Sequence, residues 1–488
     1  MKICDANLGK LPTDIRRPTY DRSKLTPGIV HIGLGNFHRA HQSWYLHRLM
    51  EQGEAHDWAI IGAGVRPNDD AQRKLLAEQD YLTTLIELDP AGRSAEIVGS
   101  MIGFVPVEVD NAALIAQLSK SKIRIVSLTV TEGGYYIDPV SKQLDVNHPD
   151  IGHDTTNPDK PRTAFGAIVA GLKNRFENGL EPFTCQSCDN LQGNGSILRQ
   201  TVVGLARLSN PELADWIDAR CTFPNSMVDC IVPVTGPKEL EMVRSLGISD
   251  AIPVTHENYR QWVIEDDFCA GRPEWNKVGA TFTKDVHEFE AMKIRLLNGG
   301  HQLIANAGEV LSIEYISDCM DHHLIGDFFR KVAKEEIAHQ VDAVPGMAPE
   351  AYVDLVDRRF SNAEIIDTVR RVAFDGSSRQ TGFIVPTLKD ALDKGTPMDG
   401  LALSQAVWAR MCAGTREDGS IIKPNDPVWE KLNAEALASK IDPSVWLAQN
   451  DLYGDLSKNI PLKVRFEHWL ALIWSEGLEA ALRSYLTG

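Results

Sequence analysis

Gly28-Ile-Val-His-Ile32, running straight into Gly33-Leu-Gly35-Asn-Phe-His-Arg-Ala-His41, decides how this chain folds. The first five residues read as a short buried strand. Two glycines one residue apart then mark a tight turn, and residues 42–52 carry Trp44, Leu46, Leu49 and Met50 at helical spacing. Trp58-Ala-Ile-Ile61 is the next strand, followed by Gly62-Ala-Gly64. Strand, glycine turn, helix and strand make the first half of a mononucleotide-binding unit. Outward from it, strands are expected at 81–86, 123–130, 183–184 and 229–234, with helices at 164–176 and 195–208. This alternation persists to about residue 285 and predicts an α/β fold with a Rossmann-type N-terminal domain, residues 1–285. Beyond it the spacing turns helical, at 288–311, 322–339, 349–358, 362–373 and 405–412. Residues 286–488 are therefore expected to form a mainly α-helical substrate domain.

Composition narrows the function classes. A chain of 488 residues is too long for one compact core. Its formal net charge of −17, from 67 acidic against 50 basic residues, repels phosphodiester backbones and argues against nucleic acid. The longest apolar run, 469–474, has six residues against the roughly 18 that span a bilayer, and the N-terminal residues lack a secretory apolar stretch. Eight scattered cysteines do not make a disulfide framework. The expectation is a cytoplasmic enzyme with no membrane or nucleic-acid partner.

The glycine turn has a physical use. A residue without Cβ permits the sharp turn, and a second lets backbone N–H groups approach a pyrophosphate. The third glycine of the dinucleotide fingerprint is missing, with Phe37 and Ala40 in its region, so an ordinary strand–helix turn stays open as the alternative. Gly62-Ala-Gly64 sits where a second strand ends and is read as presenting Asp69 to an adenosine ribose. Asp69 lies 34 residues after Gly35, against a usual gap of about 20. Arg66 beside it could meet a 2′-phosphate. Gly33, Gly35, Asn36, Phe37 and Asp69 are the expected cofactor contacts, with NAD favoured over NADP.

The second informative stretch is Glu288-Phe-Glu290-Ala-Met-Lys293-Ile-Arg-Leu-Leu-Asn298-Gly-Gly-His301. On an ideal α-helix, with Lys293 at zero, Glu290 falls at about 60°, His301 at about 80° and Asn298 at about 140°. Four polar groups thus share one face of an otherwise apolar helix. A buried lysine can exist as the neutral amine and take a hydroxyl proton while hydride leaves carbon. Asn298 could donate to the oxygen as charge develops, and His301 could bond a neighbouring hydroxyl. Gly299 and Gly300, each costing about 1 kcal/mol in a helix, imply that a ligand or a neighbouring helix packs close. A solvated surface helix is the alternative.

With these residues in place, the chain resembles the polyol-specific long-chain dehydrogenases. The likeness is carried in order by Gly33–His41, Ser127-Leu-Thr-Val-Thr-Glu-Gly-Gly134, Ser187-Cys-Asp-Asn190, Gln261-Trp-Val-Ile-Glu-Asp266 and Lys293-x4-Asn298-x2-His301. That family includes mannitol 2-dehydrogenases, arabinitol dehydrogenases, and fructuronate and tagaturonate reductases. The resemblance implies reversible, metal-independent, NAD-dependent oxidation of a hexitol or pentitol, mannitol first, to the ketose. It implies Lys293 as general base, Asn190 and Asn298 as oxyanion donors, and His301 as the orienting group. It also implies Glu132 and Glu290 as a proton relay, Asp229 and Arg371 as substrate contacts, and a monomer.

Rival readings remain at this stage. A hexuronate reductase would need a cation for the carboxylate, and Arg371 could supply one. A non-catalytic nucleotide or sugar sensor could use the same fold. A β-hydroxyacid dehydrogenase would also place Lys and Asn on a helix. Cys185-Gln-Ser-Cys188 has metal or redox spacing but no second pair, and His38 and His41 lack a carboxylate partner at helical spacing.

Overall fold

The computed structural model describes the chain except for residues 139–140 and the side chain of Glu132. It divides into two compact units, Met1–His287 and Glu288–Gly488.

The first unit is built on five strands: β1 (Pro27–Ile32), β2 (Ala59–Ala63), β3 (Met101–Phe104), β4 (Ile125–Leu128) and β5 (Thr184–Ser187). They form one all-parallel sheet in the order β3-β2-β1-β4-β5, the doubly wound arrangement with its reversal beside β1. A parallel sheet is covered on both faces, and the two-residue period of each strand feeds both covers. Val30, Ile32, Val126 and Leu128 join one core with Phe165 and Leu198 from helices Ala164–Glu177 and Asn194–Ser209. Ile29, Ile60 and Ile125 join the other with Leu46 and Leu49 from helix Gln42–Glu51.

Two three-stranded sheets flank this core. One pairs Gly92–Val98, Thr83–Asp89 and Val254–Glu257; the other pairs Thr281–Thr283, Gln261–Glu265 and Ser226–Asp229. The strand expected at 229–234 therefore lies earlier and ends at Asp229. Pro233, which has no N–H to give, keeps a ladder from running on to residue 234.

The second unit is helical. Helix Asp399–Cys412 is buried from Gly400 onward on every side, the mark of a central helix. Its first N–H groups are met by Glu336, whose carboxylate accepts from Gly400 and Leu401 at 2.7 and 2.8 Å and from the Tyr485 hydroxyl at 2.8 Å. Burial holds that carboxyl above its usual range. The helix expected at 362–373 is confined to Val369–Val372, capped by the Thr368 hydroxyl. Among the described residues no helix is long and apolar enough to cross a membrane.

Candidate active site

In the first unit, the loops that leave the carboxyl ends of the parallel strands lie where open α/β sheets bind ligands. The loops after β1, β2 and β4 enclose a cleft of about 450 Å³, lined by Gly33, Gly35, Val65, Arg66, Asp69, Thr129, Thr131, Tyr136 and Arg162 among others. Gly33 sits at φ +86°, and a Cβ there would lie 2.2 Å from the Thr129 carbonyl oxygen. At Gly35 a Cβ would meet nothing nearer than 4.0 Å, so this second glycine leaves open room beside the backbone. A closed turn followed by open space fits the approach of a pyrophosphate.

The turn is held from behind by a hydroxyl–imidazole chain. His31 on β1 meets Ser127 Oγ through Nδ1 at 2.8 Å and Thr129 Oγ1 through Nε2 at 2.9 Å. Thr129 Oγ1 donates onward to the Gly33 oxygen at 2.7 Å, so its proton is used and the network assigns the imidazole proton to Nε2. Burial pushes His31 down to about 3, which keeps it neutral.

Asp69 opens helix Asp69–Ala77 and folds back over its own loop. Its Oδ2 accepts from the Val65 and Arg66 N–H groups, both at 3.0 Å, so this carboxylate both shapes the loop and lines the cleft. The Asn36 side chain turns elsewhere, donating to Pro233 O at 3.2 Å and Thr235 Oγ1 at 2.9 Å, and Phe37 stacks on His41.

After β5, Asn190 is exposed and Asp189 is buried. Asn194 Nδ2 ties this loop down by donating to Asp189 O at 2.9 Å and Ser226 O at 2.7 Å. Asp229 is buried at the end of its strand, opposite Gln261, so it is paired in one antiparallel ladder with the quoted Gln261–Asp266 motif. Glu132 begins a turn of 3-10 helix, Glu132–Tyr135, and its side chain lies outside the described residues.

In the second unit, the helix expected at 288–311 is present with a difference. It runs as α-helix His287–Met292, π-helix Lys293–Asn298 and α-helix Gly299–Val310. In π winding each bond closes at i→i+5, which brings residues five apart nearer to one face than α winding does. Lys293 and Asn298 are five apart, and the 140° offset expected of an ideal α-helix does not apply. Lys293 and Glu290 are buried, at 7 % and 3 % exposure. One end of the Asn298 amide is buried without a hydrogen-bond partner among the described residues. A surface helix would show none of these features.

His301 stacks on Phe360 with ring centroids 4.1 Å apart, and burial pushes its imidazole down to about 3. It is therefore a neutral hydrogen-bonding group rather than an acid. Arg371 is more than half exposed, and its guanidinium clasps Asp367 through Nε at 2.7 Å and Nη2 at 2.6 Å. Asp367, Arg371, Arg359 and Arg379 make up the charged surroundings of His301. Sequence reading missed Asp367, Arg359 and Arg379, because nothing in their local spacing ties them to the 293–301 stretch. The glycine pair answers to neighbouring helices: a Cβ on Gly300 would lie 2.6 Å from Phe329 Cε2, and one on Gly299 would lie 3.3 Å from Ile384 Cδ1.

Other signals resolve as packing. Cys185 and Cys188 are buried, and burial pushes both thiols up, away from the thiolate that redox or metal chemistry needs. His38 stacks on His31, and His41 Nε2 meets Gln261 O at 2.9 Å. Among the described residues no group of three His, Cys, Asp or Glu side chains could hold a metal ion.

Comparison with known proteins agrees with this layout. The family model described as the mannitol dehydrogenase Rossmann domain matches residues 27–277, and that of the mannitol dehydrogenase C-terminal domain matches 285–474. A mannitol 2-dehydrogenase of Cereibacter sphaeroides is 54% identical over 472 residues, covering 97% of this chain and 99% of that protein. The ternary complex of Pseudomonas fluorescens mannitol 2-dehydrogenase with NAD and D-mannitol is 37% identical, covers 100% of both chains and superposes with a TM-score of 0.90. A substrate-free D-sorbitol dehydrogenase is 31% identical, covering 99% of this chain and 100% of that one, also with a TM-score of 0.90. Matched by family models over both units, the chain belongs to the mannitol dehydrogenase family.

Proposed function

We propose that this NAD-dependent polyol dehydrogenase oxidises D-mannitol to the 2-ketose, reversibly, with Lys293 as general base. The observation that carries the substrate is the end-to-end likeness to an enzyme whose structure holds NAD and D-mannitol. The Gly33–Gly35 turn and the Asp69 loop bind the cofactor, and the first unit is the dinucleotide-binding domain. Bound nicotinamide supplies the hydride acceptor.

Lys293, buried on its helix, takes the substrate hydroxyl proton as the neutral amine. Asn190 and Asn298 donate to that oxygen as it gains negative charge. Neutral His301 orients an adjacent hydroxyl, Asp229 and Arg371 contact the substrate, and Glu290 and Glu132 pass the proton onward from the amine. Arg371 is already neutralised by Asp367, which weakens it as the cation a uronate carboxylate would need. Residence in the cytoplasm and a monomeric state complete the proposal.

The test is NAD reduction on a panel of mannitol, arabinitol and sorbitol, beside NADH oxidation with fructose and fructuronate. Mannitol and fructose should give the highest kcat/KM. Lys293→Ala should lower kcat for mannitol by roughly 10³-fold with the melting temperature preserved. Fructuronate outrunning fructose would sink the substrate, and near wild-type turnover in the alanine variant would sink the base.

A further inference from the structure

The loop that follows β4 contains a residue in a conformation its own side chain disfavours. Thr131 lies at φ +69°, ψ 162°, a region essentially reserved for glycine, and a β-branched side chain there is strained. Such a conformation persists only where the surroundings over-determine it. Here they include the Gly134 N–H on the Thr131 carbonyl, at 3.0 Å, and one buried carboxylate on the neighbouring strand's loop.

Asp189 is 6% exposed. Its Oδ1 accepts from the Thr131 N–H at 2.8 Å, and its Oδ2 accepts from the Val130 N–H at 3.1 Å and the Tyr135 hydroxyl at 2.7 Å. Because Tyr135 gives its proton to Asp189, the 2.6 Å contact between Tyr135 and Ser187 is Ser187 Oγ–H donating to the phenol oxygen. Burial and the Asp189 charge hold the Tyr135 phenol well above its usual range, so it remains a donor. Two peptide N–H groups and a phenol on a desolvated carboxylate make a short, directional clamp. Both ends of it matter: Thr129, Val130 and Thr131 form a wall of the cofactor cleft, and the residue bonded to Asp189 is Asn190.

We infer that Asp189 is a positioning residue. It holds Thr131 in its strained conformation and thereby fixes, in one geometry, the cleft wall after β4 and the peptide that carries Asn190. The inference rests on the reading of Asn190 as a donor to the substrate oxygen. An asparagine in place of Asp189 would turn an N–H₂ toward at least one of the donors it now receives. The loop would then relax toward extended backbone, and both the wall and Asn190 would move.

The experiment is a double-variant cycle in the full-length protein with Asp189→Asn, Thr131→Gly and the pair. The readouts are mannitol oxidation, NADH affinity by fluorescence titration, and thermal melting. Asp189→Asn is expected to lower kcat/KM for mannitol about 100-fold, the scale of a misplacement near 1 Å. Glycine adopts the Thr131 conformation without the clamp, so the double variant should fall within about threefold of Thr131→Gly alone. Losses that simply multiply, or an Asp189→Asn enzyme with wild-type kcat/KM, would overturn the inference.

If Asp189→Asn does not fold, Tyr135→Phe removes one donor and keeps the carboxylate. It should lower kcat/KM about fivefold, roughly the worth of one hydrogen bond, and a wild-type value would overturn the inference. A wild-type protein that binds NADH yet oxidises no polyol would sink the proposed function alone. The cycle would then be read in NADH affinity, where a loss in Asp189→Asn recovered by Thr131→Gly upholds the clamp and an unrecovered loss refutes it.

Discussion

Gly33–Gly35 in the first unit and Gly299–Gly300 in the second are both glycine pairs beside site residues, yet their glycines answer to different neighbours. Gly33 has a positive φ and a backbone carbonyl 2.2 Å from where a Cβ would stand, so both its conformation and its surroundings exclude a side chain. Gly300 has helical backbone, and its obstacle is the edge of the Phe329 ring at 2.6 Å. Gly35 meets neither kind of obstacle. A glycine can therefore serve the chain's own path, its packing, or a group from outside, and only the surroundings tell which.

Gly33→Ala should have the largest effect of these. The alanine must adopt a left-handed conformation and push back the oxygen of Thr129, which directly follows the interior strand β4 and is tied to Ile32 O through its N–H. KM for NAD should rise about 100-fold and the melting temperature should fall by several degrees. An enzyme with wild-type KM would mean that the turn does not cradle the cofactor. Gly35→Ala separates binding from folding. Its Cβ enters open space, so melting should be unchanged while KM for NAD rises about tenfold. Equal losses in both measurements would remove the distinction between the two glycines.

The same contrast explains what could be read ahead of the structure. The first unit was legible because its candidate site is made of backbone: two glycines, a strand before and a helix after constrain the path so tightly that spacing is enough. The missing third glycine did not matter, since Gly33 and Gly35 already account for the turn and the open space beside it. Asp69 was legible as a loop carboxylate, but its bonds to the Val65 and Arg66 N–H groups depend on how the loop folds back, which spacing does not encode.

The second unit was legible as residue types and less so as geometry. Lys293, Asn298 and His301 could be read as candidates, but an α-helical wheel misplaces Asn298, because nothing in Lys-Ile-Arg-Leu-Leu-Asn announces a change to i→i+5 bonding. Asp367 was missed because it acts through space, sixty-six positions from His301 by subtraction of the numbers, in a stretch that read as plain helix. Asp189 was passed over for a different reason. It stood in a quoted motif beside Asn190, and its work is done on a loop nearly sixty residues away.

Gly300→Ala and Gly299→Ala carry the contrast to its smallest scale. In both, alanine improves intrinsic helix propensity by about 1 kcal/mol, so any loss must come from what the new methyl meets. At Gly300 it meets Phe329 at 2.6 Å, and Phe329 is fully buried against Phe360, the ring on which His301 stacks. Displacing that ring costs about 1–3 kcal/mol, more than the propensity gain, and tilts the support of His301. Melting should fall by a few degrees, and KM for mannitol should rise severalfold with KM for NAD unchanged. At Gly299 the neighbour is Ile384 Cδ1 at 3.3 Å, the end of a flexible side chain that can yield by a few tenths of an ångström. There the two terms nearly cancel, and melting should stay within about two degrees of wild type. If both substitutions proved equally harmless, packing would not be the reason for glycine in this helix, and a ligand beside that backbone would have to be sought instead.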